Sequence, residues 1–98
     1  MSEPELVVQR EDQGGSGRYV IYLAPGAEAE MTYRRGRDGA MVIDHTGVPP
    51  AYEGRGIAAK LVNKSISDAR SEGFKITPVC SYVVAQFRRH PEWADLRA

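Results

Sequence analysis

The stretch Tyr52-Glu53-Gly54-Arg55-Gly56-Ile57-Ala58-Ala59-Lys60-Leu61 places a glycine-rich turn directly before an amphipathic helix. The first amides of a helix have no intrahelical acceptor and carry the positive end of the helix dipole. With glycines that let a ligand approach the backbone, such a turn is an anion site suited to phosphates. Two common phosphate loops do not fit it. A P-loop needs Lys-Ser/Thr directly after its last glycine, and Gly56 is followed by Ile57-Ala58. Gly54-x-Gly56-x-x-Ala59 formally matches the dinucleotide fingerprint. However, Pro49-Pro50 and three further residues separate it from the preceding strand, and no acidic residue follows the next strand to hold a ribose.

Downstream, Ile57, Ala58, Leu61, Val62, Ile66 and Ala69 repeat at the helical period and predict a helix over 56–72, with Lys60, Lys64, Asp68 and Arg70 elsewhere on its surface. Gly73 is its C-terminal stop. Residues 75–80 read as a strand that Pro78 confines to an edge or a splayed position. Ser81 then caps a second helix that turns Val83, Val84 and Phe87 inward and stops before Pro91. Upstream the period changes to two. Leu6-Val7-Val8 and residues 19–23 are strands on either side of a flexible loop, 13–17. Ala24-Pro25-Gly26 turns the chain into residues 27–33, where Ala27, Ala29, Met31 and Tyr33 share one face and the other is acidic and wet. Asp38-Gly39 leads tightly into a strand over 40–46. The order is β-β-β-β-α-β-α, an α+β fold with four antiparallel strands in meander order.

Ninety-eight residues, 42% of them apolar and 27% charged, supply a single domain over 1–98 and exclude a second. Thirteen basic and thirteen acidic residues cancel. This removes the bulk positive charge expected of a nucleic-acid binder or of a protein held on an anionic membrane. The cancellation hides an asymmetry. Residues 1–53 hold five Lys/Arg against nine Asp/Glu, and residues 54–98 hold eight against four, so the halves carry −4 and +4. An anionic ligand belongs with the second half. The one cysteine, Cys80, forms no internal disulfide, which points to a reducing compartment. Met-Ser-Glu-Pro-Glu-Leu has neither a basic n-region nor an apolar h-region, and no apolar run approaches the length of a membrane span. The chain reads as soluble and cytoplasmic.

Glu53-Gly54-Arg55-Gly56-Ile57-Ala58 resembles the Gln/Arg-x-x-Gly-x-Gly/Ala signature of the Gcn5-related N-acetyltransferase (GNAT) superfamily, whose backbone amides hold the coenzyme A pyrophosphate at a helix start. Its place after the fourth strand also matches. Three further marks sharpen the resemblance to a subfamily of minimal acetyltransferase-like proteins: His45-Thr46-x-Val48-Pro49, Cys80-Ser81-Tyr82 and Arg89-His90-Pro91-Glu92-Trp93. The four marks lie between His45 and Trp93, so the resemblance covers roughly residues 40–95. Glu53 departs from the usual Gln or Arg. A carboxylate is unfavourable beside a pyrophosphate, so Glu53 is assigned no phosphate contact.

The resemblance implies a GNAT-like, mostly antiparallel sheet that splays between its fourth and fifth strands, with the pantetheine arm in the gap. Pro49 and Pro50 suit a splay point because they donate no ladder hydrogen bond. It also implies acetyl-CoA as cosubstrate and an amine acceptor; the absence of zinc spacing gives the expectation of no metal. Thr46 and Val48 then lie beside the acetyl group, with a backbone N–H near Val48 as the oxyanion donor. Gly54, Arg55, Gly56, Ile57, Ala58 and Lys60 surround the phosphates, the alternative for Arg55 and Lys60 being a solvated helix surface.

Acetyl transfer needs a bound carbonyl, a stabilised oxyanion and management of protons. Cys80 ends the strand facing the gap. It is either a buried small hydrophobe or, by the subfamily match, a catalytic group: a nucleophile that takes the acetyl, or an acid that protonates departing coenzyme A. Tyr82 competes for the acid role, as many superfamily members use a tyrosine there; otherwise it is a packed aromatic. Asp44 and His45, adjacent on a strand, face opposite ways. His45 is the preferred base toward the amine, because imidazole titrates at about pH 6.5; a structural histidine is the alternative. His90-Pro91-Glu92-Trp93 is a helix stop with Trp93 packing back on the sheet, and no zinc spacing links it to His45 or Cys80. Arg34-Arg35-Gly36-Arg37 and Arg88-Arg89 read as solvated charge, not as a nucleic-acid face.

Two functions follow. One is an acetyl-CoA-dependent N-acetyltransferase, acting by direct attack or through a Cys80 thioester. The other is a module that binds coenzyme A or its acyl form without turnover. Larger superfamily members shape the acceptor pocket with helices between the first two strands and strands after the second helix, and neither has a counterpart in these residues. Either the acceptor site is open or a second copy completes it in a homodimer.

Overall fold

The computed structural model describes residues 6–98; the reading of the first residues as leaderless falls mostly on positions 1–5, outside the described residues. Strands β1 (Gln9–Gln13), β2 (Ser16–Ala24), β3 (Ala27–Arg35), β4 (Met41–Gly47) and β5 (Ile76–Pro78) form one sheet in chain order. Helix α1 (Ile57–Glu72) connects β4 to β5, and α2 (Ser81–Arg89) follows β5. The first four strands pair antiparallel, whereas β4 and β5 are parallel, because α1 carries the chain back across the sheet. The result is the expected α+β, GNAT-like architecture.

Alternation in β3 builds the core. Ala29, Met31 and Tyr33 are buried, while Glu28, Glu30 and Thr32 face the other way. Tyr19 and Ile21 from β2, Met41 and Ile43 from β4, and Ile76 from β5 join them. The stripe of α1 and Val83 and Phe87 of α2 close one continuous cluster. On the opposite sheet face Arg18 gathers Glu11, Glu28 and Glu30 at 2.8, 2.6 and 2.9 Å, so that face stays polar.

The first strand lies later than the apolar run Leu6-Val7-Val8 that predicted it. An edge strand pairs on one side only and can remain wet, so the ladder runs through the polar residues Gln9–Gln13. Leu6 and Val8 still pack on the core, and Val7 is exposed. The connection to β2 is a tight two-residue turn, Gly14-Gly15, between the paired Gln13 and Ser16, and not a flexible loop. At the far edge, β5 ends at Pro78 instead of Cys80. The next two amides, of Val79 and Cys80, both bond to the Ile43 carbonyl at 3.0 Å and turn the chain out of the sheet.

Asp68 is buried, contrary to the surface position expected of it. It accepts a hydrogen bond from Tyr19 Oη at 2.9 Å and pairs with Arg10 at 3.3 Å and Lys64 at 3.2 Å; Arg10 also reaches Glu72 at 2.6 Å. A carboxylate is tolerated inside when it is paired and hydrogen-bonded. Burial pushes the Asp68 carboxyl up, but Tyr19, Lys64 and Arg10 outweigh it and hold it below the usual range. Trp93 is buried in the same core cluster as the inward residues of the sheet, stacked on His90 at 4.0 Å and edge-on to Phe87 at 5.4 Å between centroids. Arg70 ties this segment to α1 through Asp95 at 3.0 Å and the Glu92 carbonyl at 3.1 Å.

Candidate functional site

β5 meets β4 only at Met41, Val42 and Ile43, after which β4 runs on through Gly47 beside β3 alone. The two strands therefore splay, as the resemblance implied and Pro78 suggested, but pairing stops already at Ile43, and Pro49 and Pro50 lie beyond the end of β4. A β-bulge lies at the mouth of this splay. Tyr33 pairs with Ile43 and Thr32 with His45, which leaves Asp44 as an extra residue. Thr32 Oγ1 donates to Asp44 Oδ1 at 2.6 Å, so Asp44 lies on the same sheet face as His45. The expectation that these two neighbours face opposite ways fails because strict alternation stops at the bulge. The bulge also decides the next residue. Unbroken alternation from Ile43 would send His45 to the core side and Thr46 away from it. Instead, Thr46 pairs with the buried Met31 and faces the core side.

The turn before α1 has the geometry of an anion cradle. Gly54 and Gly56 have φ of 78° and 73°, values that side-chain-bearing residues rarely adopt. The first bond of α1 runs from Lys60 N–H to the Gly56 carbonyl at 3.3 Å, and no side chain caps the helix. The amides of Ile57, Ala58 and Ala59 are thus left to an outside acceptor, and no carboxylate stands in the first turn to compete. These features fit a pyrophosphate. A cleft of about 250 Å³ opens at the turn, walled by Val48, Tyr52, Glu53, Gly54, Gly56, Ile57, Ala58 and Tyr82. Arg55 and Lys60 are exposed and not among these walls, the Arg55 guanidinium lying 5.4 Å from the Tyr52 ring centre.

Cys80, not Ser81, is the N-cap of α2. The Val84 amide bonds to the Cys80 carbonyl at 3.0 Å, so helical bonding starts one residue earlier than the hydroxyl suggested. Cys80 Sγ lies 3.6 Å from Thr46 Oγ1, across the splay. Burial pushes the thiol up, but the Thr46 hydroxyl and the amides of Val83, Tyr82 and Thr46 outweigh it, so the thiol lies below its ordinary value. Tyr82, partly buried, is shifted the opposite way: burial raises its phenol more than Arg89 lowers it.

Thr46, Val48, Cys80, Tyr82 and the glycine turn therefore gather at one end of the sheet. His45 does not join them. It is exposed beside Thr32 on the other face, its Nε2 3.2 Å from where a Cβ on Gly47 would stand. The contact between Thr46 and Cys80 had no signal in sequence, since it depends on the bulge. Among the described residues, no three or more His, Cys, Asp or Glu side chains gather as metal ligands. No helix among them is long and apolar enough to cross a membrane.

A family model described as GCN5-related N-acetyl-transferase matches residues 18–96. No curated protein matches the chain.

Proposed function

Because the chain belongs to the GCN5-related N-acetyltransferase family, we propose that it binds acetyl-coenzyme A across the glycine turn and the splay and delivers the acetyl group to an amine through a thioester on Cys80. The observation that carries this reading is Cys80 itself, a thiol below its ordinary value at a helix N-cap, facing the gap between β4 and β5. Position divides the roles: Cys80, at the gap with a thiol below its ordinary value, is suited to attack, and Tyr82, which lines the cleft and carries its phenol proton at neutral pH, is the donor within reach.

In the first half-reaction the Cys80 sulfur bonds to the acetyl carbon, a backbone N–H near Val48 stabilises the oxyanion, and the bond from that carbon to the coenzyme A sulfur breaks. Tyr82 gives its proton to the departing thiolate. In the second half-reaction the amine attacks the Cys80 thioester, an amide forms and the Cys80 thiolate is restored. The proton released by the amine passes through water to the Tyr82 phenolate, which restores the acid for the next cycle; His45, on the other sheet face, takes no part in this step. Gly54, Gly56, Ile57 and Ala58 present the amides that hold the pyrophosphate, with Arg55 and Lys60 adding positive charge.

Intact-mass spectrometry after incubation with acetyl-coenzyme A tests the reading. Wild-type protein is expected to gain one acetyl group, Cys80→Ala none, and addition of an amine panel is expected to discharge the adduct as free coenzyme A thiol accumulates. Turnover that persists in Cys80→Ala would replace the thioester by direct attack. Binding without thiol release to any amine would leave a coenzyme A-binding module. Absence of coenzyme A binding in calorimetry would overturn every version.

A further inference from the structure

We infer that Thr46 is the positioning residue for Cys80: its hydroxyl, 3.6 Å from the sulfur, holds that side chain at the splay in the form that attacks. The inference rests on the thioester reading above and extends it to a residue with no chemistry of its own. Two independent elements converge to make the contact. The Asp44 bulge turns Thr46 to the core side, opposite the side that regular alternation would give it. The early start of α2 places Cys80 at the N-cap, beside the first-turn amides of the helix.

A hydroxyl suits this place because it both donates and accepts. The neutral thiol donates its S–H to Thr46 Oγ1. Once ionised, the sulfur accepts from the hydroxyl instead, and a hydrogen bond to a charged acceptor is the stronger of the two. Thr46 thus favours the thiolate without adding a cation that would repel an ammonium acceptor. Of the charged and titratable groups around Cys80, Asp44 and His45 lie on the other face of β4, Glu53 and Arg55 are exposed on the turn before α1, and Tyr82 and Arg89 belong to α2. The contributions that lower the thiol come from neutral donors, the Thr46 hydroxyl first among them.

The test is the pH dependence of Cys80 alkylation by iodoacetamide, followed by intact mass in wild type, Thr46→Val and Thr46→Ser. Loss of the hydroxyl is expected to raise the alkylation midpoint by about one pH unit, so that Thr46→Val reacts about tenfold more slowly at neutral pH. All three proteins are expected to converge at alkaline pH, where every thiol is ionised, and Thr46→Ser is expected to keep the wild-type midpoint. An unmoved midpoint in Thr46→Val overturns the inference, as does a serine variant that behaves like valine. A rate depressed equally at all pH values would mark a purely structural role and overturn it too. Should Thr46→Val not fold, Thr46→Ala carries the same comparison. Iodoacetamide needs no coenzyme, so the outcome is independent of whether the acetyl adduct forms.

Discussion

Replacing Gly56 by valine is expected to weaken coenzyme A binding about 100-fold, the equivalent of losing one or two hydrogen bonds to a charged group. Gly56 is the N-cap of α1 at φ 73°, and the space where its Cβ would stand is open, with nothing within 4 Å. The protein therefore has no steric objection to a side chain there. The cost is conformational, about 1–2 kcal/mol for an L-residue held left-handed and more for a β-branched one. Valine relieves that strain by leaving the left-handed region, which re-aims the amides of Ile57, Ala58 and Ala59, and its methyl groups occupy the space through which a phosphate would approach. Gly73→Val is the control. Gly73 has φ 78°, equally open space and the same backbone cost, but it lies at the opposite end of α1. Both variants should lose comparable stability, and calorimetry should find affinity reduced only in Gly56→Val. Equal affinities would remove the turn as the phosphate site.

Truncating Asp68 to alanine is expected to cost about 3 kcal/mol, the low end for removing one partner of a buried ion pair. The low end applies because Arg10 keeps 18% of its side chain exposed. The variant leaves Tyr19 Oη without its acceptor and Arg10 without one of its three carboxylates. Tyr19→Phe removes only the hydrogen bond and should cost about 1 kcal/mol. Urea denaturation of both variants measures the difference. The pH dependence follows from the sign of the shift. The folded Asp68 carboxyl lies below its unfolded value of about 3.9. Its contribution is therefore complete above that value and is lost as pH falls through the folded one, so wild-type stability should drop in acid below about pH 4 more steeply than that of Asp68→Asn. A cost under about 1 kcal/mol for Asp68→Ala would mean that the pair is solvated and the burial irrelevant.

Much of this molecule was legible from local chemistry. Period-two patterning in β3 and the 3.6-residue stripe of α1 are each decided within a dozen residues, and both held. The glycine turn was legible because left-handed backbone leaves a signature in composition. What escaped depends on partners far away in the chain. Asp68 resembles any surface carboxylate until Tyr19 and Arg10, 49 and 58 residues distant, surround it. β1 is polar because its pairing with β2 needs no apolar side chain. The bulge at Asp44 carries no glycine or proline to announce it; it is a property of the register between β3 and β4, and with it went the facing of His45 and Thr46. Ser81 had the side chain of a cap, but the turn that ends β5 brought Cys80 to that position first.

Strand order equals chain order in this sheet, and that has a kinetic meaning. Every antiparallel pair is a hairpin between sequence neighbours, so β1 to β4 can assemble with little loop-closure entropy. The Arg10 and Tyr19 contacts to Asp68 and Glu72, separated by 49 to 62 residues, await the arrival of α1 and close late. Interactions made after the folding barrier are felt mainly on the way out. The buried ion pair is therefore a latch on unfolding: its removal should shorten the lifetime of the native state while leaving the refolding rate nearly unchanged.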